Sequence, residues 1–142
     1  MNERELNRVR ELKEKIRELE HHIAALRSSA ENIVPVLDGM PHSTDVKSKV
    51  ETLALHIVNS ERELEALRSE LCTAAIHITT RIQNANLKRA EKTILILRYV
   101  VCMNFRDISF QLEQSDATTF RLHHDGVQKM IVNDSSPIVE KS

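Results

Sequence analysis

Apolar residues recur at alternating steps of three and four along the first part of the chain: Val9, Leu12, Ile16, Leu19, Ile23, Leu26, Ala30 and Ile33. A second run follows the same rule: Val46, Val50, Leu53, Ile57, Ser60, Leu64, Leu67, Leu71, Ala74 and Ile78. That spacing averages about 3.5 residues, close to the helical 3.6, and holds one narrow face of a helix toward a neighbouring helix. It predicts two heptad helices. Ser60 is the polar member of the second seam and reads as a small residue where helices approach.

Between the runs, PVLDGMPHST contains two of the three prolines and one of the two glycines. Pro35 lacks an N–H and disfavours helix at the residue before it. The first helix is therefore expected to stop near Ile33, with a loop at about 34–45. Ser43 or Thr44 is suited to cap the next helix, and Asp45 to its positive end. Two matched helices joined by about a dozen residues predict an antiparallel hairpin, an arm of about 45 Å. The poor helix formers of QNAN place a break around Asn84–Asn86.

The pattern then changes. Leu87, Ala90, Ile94, Leu97 and Val101 form one stripe, and Leu95, Ile96, Tyr99 and Val100 widen it, so this helix is expected to be buried on more than one side. A short helix is predicted at Arg106 to Leu112, with Ile108 and Leu112 inward. Glu113 and Gln114 form a turn, and Ser115 caps a last helix that runs to about Val132, with Thr119, Leu122, Gly126, Val127 and Met130 inward. Short helix, tight turn and longer helix make a helix-turn-helix. The expected fold is all-α, a long antiparallel coiled-coil hairpin over 1–84 followed by a helix-turn-helix over 87–132. A polar tail, 133–142, is expected to be disordered.

Composition agrees with long helices: 3% aromatics, 2 Gly and 3 Pro in 142 residues leave little material for a β-sandwich. Residues 1–20 carry charge throughout, which predicts no secretory signal. The most apolar stretch, Ile94 to Met103, is too short for a membrane span and contains Arg98. Cys72 and Cys102 read as reduced, small core or interface residues in helices, which suits the cytoplasm. Seven basic and seven acidic residues lie between Met1 and Glu31, and ion pairs such as Glu11–Lys15 are offset by like-charge pairs such as Glu14–Glu18.

The run LRY with Phe105, Ile108, Leu112, Ser115 and FRLHHDGV resembles the helix-turn-helix of sigma-factor region four. More narrowly it is similar to small phage and prophage proteins of Gram-positive bacteria, the RinA and ArpU late-gene transcriptional regulators. The matching positions are Arg98, Tyr99, Phe105, Ile108, Leu112, Ser115, Arg121, Leu122, His123 and Val127. A helix, a loop with GMPH (Gly39 to His42) and a second helix extend the likeness over about residues 5–131. Ser109 stands where the pattern has Ala, Thr119 where it has an aliphatic residue, and Gly126 lies inside a helix. The resemblance implies a regulator that binds double-stranded promoter DNA, a late-gene activator in the bacterial cytoplasm.

Near its start the last helix is expected to present Ala117, Thr118, Arg121 and His124 to base edges. Arg121 suits bidentate bonding to guanine. Gln111, Gln114 and Arg106 would reach phosphates. Charge limits this reading, because Arg98, Arg106, Arg121 and Lys129 are balanced by Asp107, Glu113, Asp116 and Asp125. A neutral module gains little from phosphate neutralisation. Self-association into a homodimer or higher oligomer, or contact with host RNA polymerase, would supply the missing affinity. Alternatives are a helical adaptor that binds RNA polymerase or another protein without touching DNA, and a small-terminase-like packaging component. No catalytic set is seen and no cofactor is implied. The adjacent histidines His21–His22 and His123–His124 diverge by about 100°, a poor chelating geometry.

Overall fold

In a computed structural model of the chain, which describes residues 1–38 and 44–135, all regular structure among the described residues is helical. The elements are α1 (Glu3–Leu6), α2 (Arg8–Asp38), α3 (Thr44–Asn84), α4 (Arg89–Tyr99), α5 (Phe105–Gln111) and α6 (Asp116–Ser135). They form two compact units, one of residues 12–70 and one of residues 1–11 with 71 onward. No helix among the described residues is long and apolar enough to cross a membrane.

In the unit of residues 12–70, burial follows the heptad pattern position by position. Leu12, Ile16, Ile23 and Leu64 are buried, and the remaining described seam residues from Leu19 to Leu67, Ser60 included, are half-buried. Lys13 is the one other residue of this unit that is not exposed among the described residues. Ion pairs flank the seam. Arg68 donates to Glu20 at 2.8 Å, and Arg27 pairs with Glu61. Seven residues forward on α2 thus correspond to seven back on α3, so the helices oppose one another in direction here. Exposed pairs of this kind contribute about 0.2–1 kcal/mol each; apolar burial along the seam carries the contact.

The first long helix does not stop near Ile33. Helix α2 continues past Pro35 to Asp38. Proline removes one N–H bond, here near the helix end, and its own fixed φ is already helical. Helix α3 begins at Thr44, so the connection is shorter than the predicted 34–45. The GMPH segment and the Ser43 cap lie outside the described residues, as do the side chains of Ile33 and Val46. Helix α6 extends three residues past the predicted end at Val132, into the segment expected to be disordered, and the rest of that tail lies outside the described residues.

The second unit gathers Met1, Leu6, Val9, Ile78, Ile82, Leu95, Tyr99, Val127 and Met130 into one core. The beginning of α2 and the end of α3 therefore share a core with α4 and α6. Helix starts are tied locally. Asn2 Oδ1 accepts the Glu5 N–H at 2.8 Å, and Asn104 Oδ1 accepts that of Asp107 at 2.8 Å. On α4 the buried face is Glu91, Ile94, Leu95 and Tyr99. It is rotated from the predicted stripe, for Ala90 and Val101 are exposed. The rotation buries Glu91, which a hydrophobic pattern counts as outward.

Glu91 is satisfied on both sides. Its Oε1 accepts the Lys88 N–H at 2.9 Å, and Lys129 Nζ from α6 lies 2.9 Å from Oε1 and 3.1 Å from Oε2. Burial pushes its pKa up, but the Lys88 amide and the Lys129 ammonium outweigh that and hold it below the ordinary 4.5. Gly126 explains the close approach. A Cβ there would stand 3.2 Å from Leu95 Cδ1 and 3.5 Å from Glu91 Cβ. The glycine costs helix propensity, about 1 kcal/mol against Ala, and admits α4 in return.

Cys72 and Cys102 are free. Cys72 lies in α3 as expected but is exposed and so is no core residue, while Cys102 packs half-buried against the core yet lies outside any helix, in the α4–α5 connection, with φ 67°. That left-handed turn lets the Met103 N–H reach back to the Leu97 carbonyl at 2.9 Å.

Candidate nucleic-acid interface

Helices α4, α5 and α6 pack on one another, and the segment from α5 to α6 is built by a specific helix ending. The Gln114 N–H bonds the Ser109 carbonyl at 3.0 Å, and the Glu113 N–H bonds that of Phe110 at 3.2 Å. This is a Schellman motif, whose C′ residue adopts the left-handed region. Here that residue is Glu113, with φ 52°, where glycine is the usual choice. Ser115 then starts α6. Its Oγ accepts the Thr118 N–H at 3.1 Å and donates to Thr118 Oγ1 at 2.9 Å. The predicted turn and cap thus occur at the predicted residues.

Two buried polar side chains meet. Ser109 Oγ lies 2.8 Å from Thr119 Oγ1, with both residues buried. Thr119 Oγ1 also donates to the Ser115 carbonyl at 3.1 Å and accepts from Gln114 Nε2 at 3.0 Å, while Ser109 Oγ reaches the Phe105 carbonyl at 3.0 Å. A lone buried hydroxyl would be costly; a mutually bonded pair is tolerated. Along the chain each is a lone polar residue, and only the fold brings the two hydroxyls together.

The residues that carry the resemblance are mostly scaffold. The Arg98 guanidinium stands 4.2 Å from the Phe105 ring centre and donates to the Met103 carbonyl at 3.0 Å. Phe105 meets the His123 ring edge-on at 4.8 Å, and His123 Nε2 bonds the Tyr99 hydroxyl at 2.7 Å. Burial, with repulsion from Arg98 and His124, holds the His123 imidazole below its ordinary range. It is therefore neutral at pH 7, and its Nε2 donates to or accepts from the Tyr99 hydroxyl according to the tautomer. Burial also pushes the Tyr99 pKa up, which keeps its hydroxyl protonated. Ile108 and Val127 are buried, Leu112 and Leu122 half-buried, and Ser115 is the cap. Arg121, by contrast, is an exposed member of the matching set on the outer face of α6.

Among the residues expected to contact DNA, Arg106, Gln111, Ala117, Arg121 and His124 are exposed. Thr118 and Gln114 are half-buried and committed to the Ser115 and Thr119 bonds described above. Two residues outside that set stand out. Phe110 is 87% exposed and Phe120 50% exposed. Periodicity alone could have marked Phe110, which falls opposite Ile108 and Leu112, whereas Phe120 stands seven residues before buried Val127, at the edge of the inward stripe. Among the described residues no group of three His, Cys, Asp or Glu is placed to hold a metal ion.

Comparison of the chain with protein-family models, curated proteins and solved structures gives no match.

Proposed function

We propose that the chain is a phage or prophage transcriptional regulator, a late-gene activator that binds promoter DNA. In this reading α5, its turn and α6 act as a helix-turn-helix. Helices α2 and α3 act as an antiparallel coiled-coil hairpin that associates copies or contacts host RNA polymerase. The observation that carries it is the exposed stripe at the start of α6, Ala117, Arg121 and His124, held by a capped and hydrogen-bonded turn. The resemblance to the RinA and ArpU regulators supports the same reading. The module's balanced charge means that one copy binds weakly, and a second copy raises avidity.

Mobility shift at low salt against the upstream region of its own late operon tests this. Arg121→Ala is expected to lose about 1–3 kcal/mol at one base position if the arginine reads guanine. Absence of any sequence preference, together with an Arg121→Ala variant equal to wild type, would sink the proposal.

One observation favours a second reading, a helical adaptor that binds a protein and not DNA. Phe110 is almost wholly exposed and borders an open groove lined by Ser109, Gln111, Glu113, Gln114 and Ser115. Exposed aromatics of this kind anchor protein interfaces. Co-purification of RNA polymerase or a sigma factor after nuclease treatment, abolished by Phe110→Ala, would select this reading.

A further inference from the structure

We infer that Phe120, with Ala117 beside it, reads thymine methyl groups in the major groove. The inference rests on the DNA-binding reading and names one of its specificity determinants. At about 3.6 residues per turn, Ala117, Phe120, Arg121 and His124 fall within an arc of about 100° on α6. The buried residues Thr119, Gly126 and Met130 occupy the opposite side, and buried Val127, two turns further on, lies next to Phe120 at the edge of the arc. Phe120 therefore stands at the edge of the stripe that carries the polar candidates, half-exposed beside it.

The ring is braced from below. Phe105 meets it at 4.8 Å between centroids, tilted by 48°, and Phe105 is itself held by Arg98 and His123. A braced aromatic surface loses little freedom on binding. The thymine C5-methyl is the apolar group that base edges offer in the major groove, and Phe and Ala side chains suit it. Arg121 and His124 on the same arc suit acceptors such as those of guanine. Balanced charge points the same way. A module with four cations against four anions between Arg98 and Ile131 takes little affinity from phosphates, so base contacts must carry a larger share. A thymine-rich edge is the occupant to which a face of two apolar and two polar side chains is complementary.

The test uses the full chain and duplexes selected by it from a random pool of about 20 base pairs. Each thymine of a selected duplex is replaced in turn by uracil, which removes the methyl and leaves the protein untouched. One or two positions are expected to lose about fourfold in affinity, the worth of one buried methyl. Phe120→Ala should lose a similar factor and become insensitive to uracil at those positions, whereas Phe120→Leu should retain part of the discrimination. Thermal unfolding of both variants reports their folding, and the uracil series on the wild-type chain stands if Phe120→Ala does not fold. Sequence-selective binding that ignores uracil everywhere, or that Phe120→Ala leaves equally uracil-sensitive, overturns the role of Phe120 while leaving DNA binding intact. Failure to select any duplex overturns the DNA reading and this inference together.

Discussion

The two compact units of this protein are built by different rules. In residues 12–70 burial follows the alternating three-and-four spacing, most seam side chains are only half-buried, and the polar contacts are exposed ion pairs. In the unit formed by residues 1–11 and 71 onward, side chains are sealed in a core of several helices. Its polar groups, Glu91, Ser109 and Thr119, are buried and hydrogen-bonded to partners within the unit. A repeating seam tolerates local change because each layer is small and alike. A core with matched polar pairs and a glycine crossing depends on particular partners.

The sharpest way to break this comparison is a matched truncation. Leu95 is fully buried, whereas Leu19 is half-buried. Leu95→Ala is expected to cost about 2–5 kcal/mol and Leu19→Ala clearly less. Denaturant titration followed by circular dichroism measures both, and equal costs would erase the distinction.

Glu91 comes next. Glu91→Gln keeps the shape but removes the charge facing Lys129, at an expected cost of about 1–3 kcal/mol at pH 7. The folded pKa of Glu91 lies below its unfolded value, so the contribution is present above about pH 4.5 and is lost as pH falls through the folded value. His123 also has a lowered pKa, so it stays neutral to lower pH in the fold than in the unfolded chain, which takes up protons from about pH 6.5 downward. Wild-type stability should therefore weaken first below about pH 6.5 and again below about 4.5. Glu91→Gln should retain the first step and lose much of the second, which urea titrations across about pH 3–8 would resolve.

Ser109 and Thr119 sharpen the contrast further. Each single change, Ser109→Ala or Thr119→Val, is expected to cost about 1 kcal/mol, and the double change less than the sum of both. Additive losses in the double-mutant cycle would mean that the hydroxyls do not act as a pair.

The smallest effect has the opposite sign. Glu113→Gly relieves a left-handed residue at the helix ending and is expected to raise stability by up to about 1 kcal/mol. A lower melting temperature for that variant would show that the Glu113 side chain outweighs its backbone strain.

How legible these features are depends on whether a residue's neighbours lie close in sequence. The seam, the Glu113–Gln114 turn and the Ser115 cap depend on residues three to five positions apart, and each is readable from the chain alone. The helix stop expected at Pro35 fails because the proline rule describes an average helix interior, and α2 runs past it. Of the candidate interface, Arg121, Ala117 and His124 are expected outward and are exposed. Thr118 and Gln114, expected to be free for contacts, are instead spent on the turn.

By itself the sequence determined an all-helical chain, the period of its long helices and the residues that end its short ones. These follow from backbone sterics and from hydrophobic spacing within one helix. Tertiary structure decided which face of α4 is buried, why Glu91, Ser109 and Thr119 are acceptable inside, what Gly126 packs against, and that Val9 and Ile78 share a core with Leu95 and Met130. Those outcomes depend on partners on other helices, where a polar group is costly or harmless according to what stands opposite it.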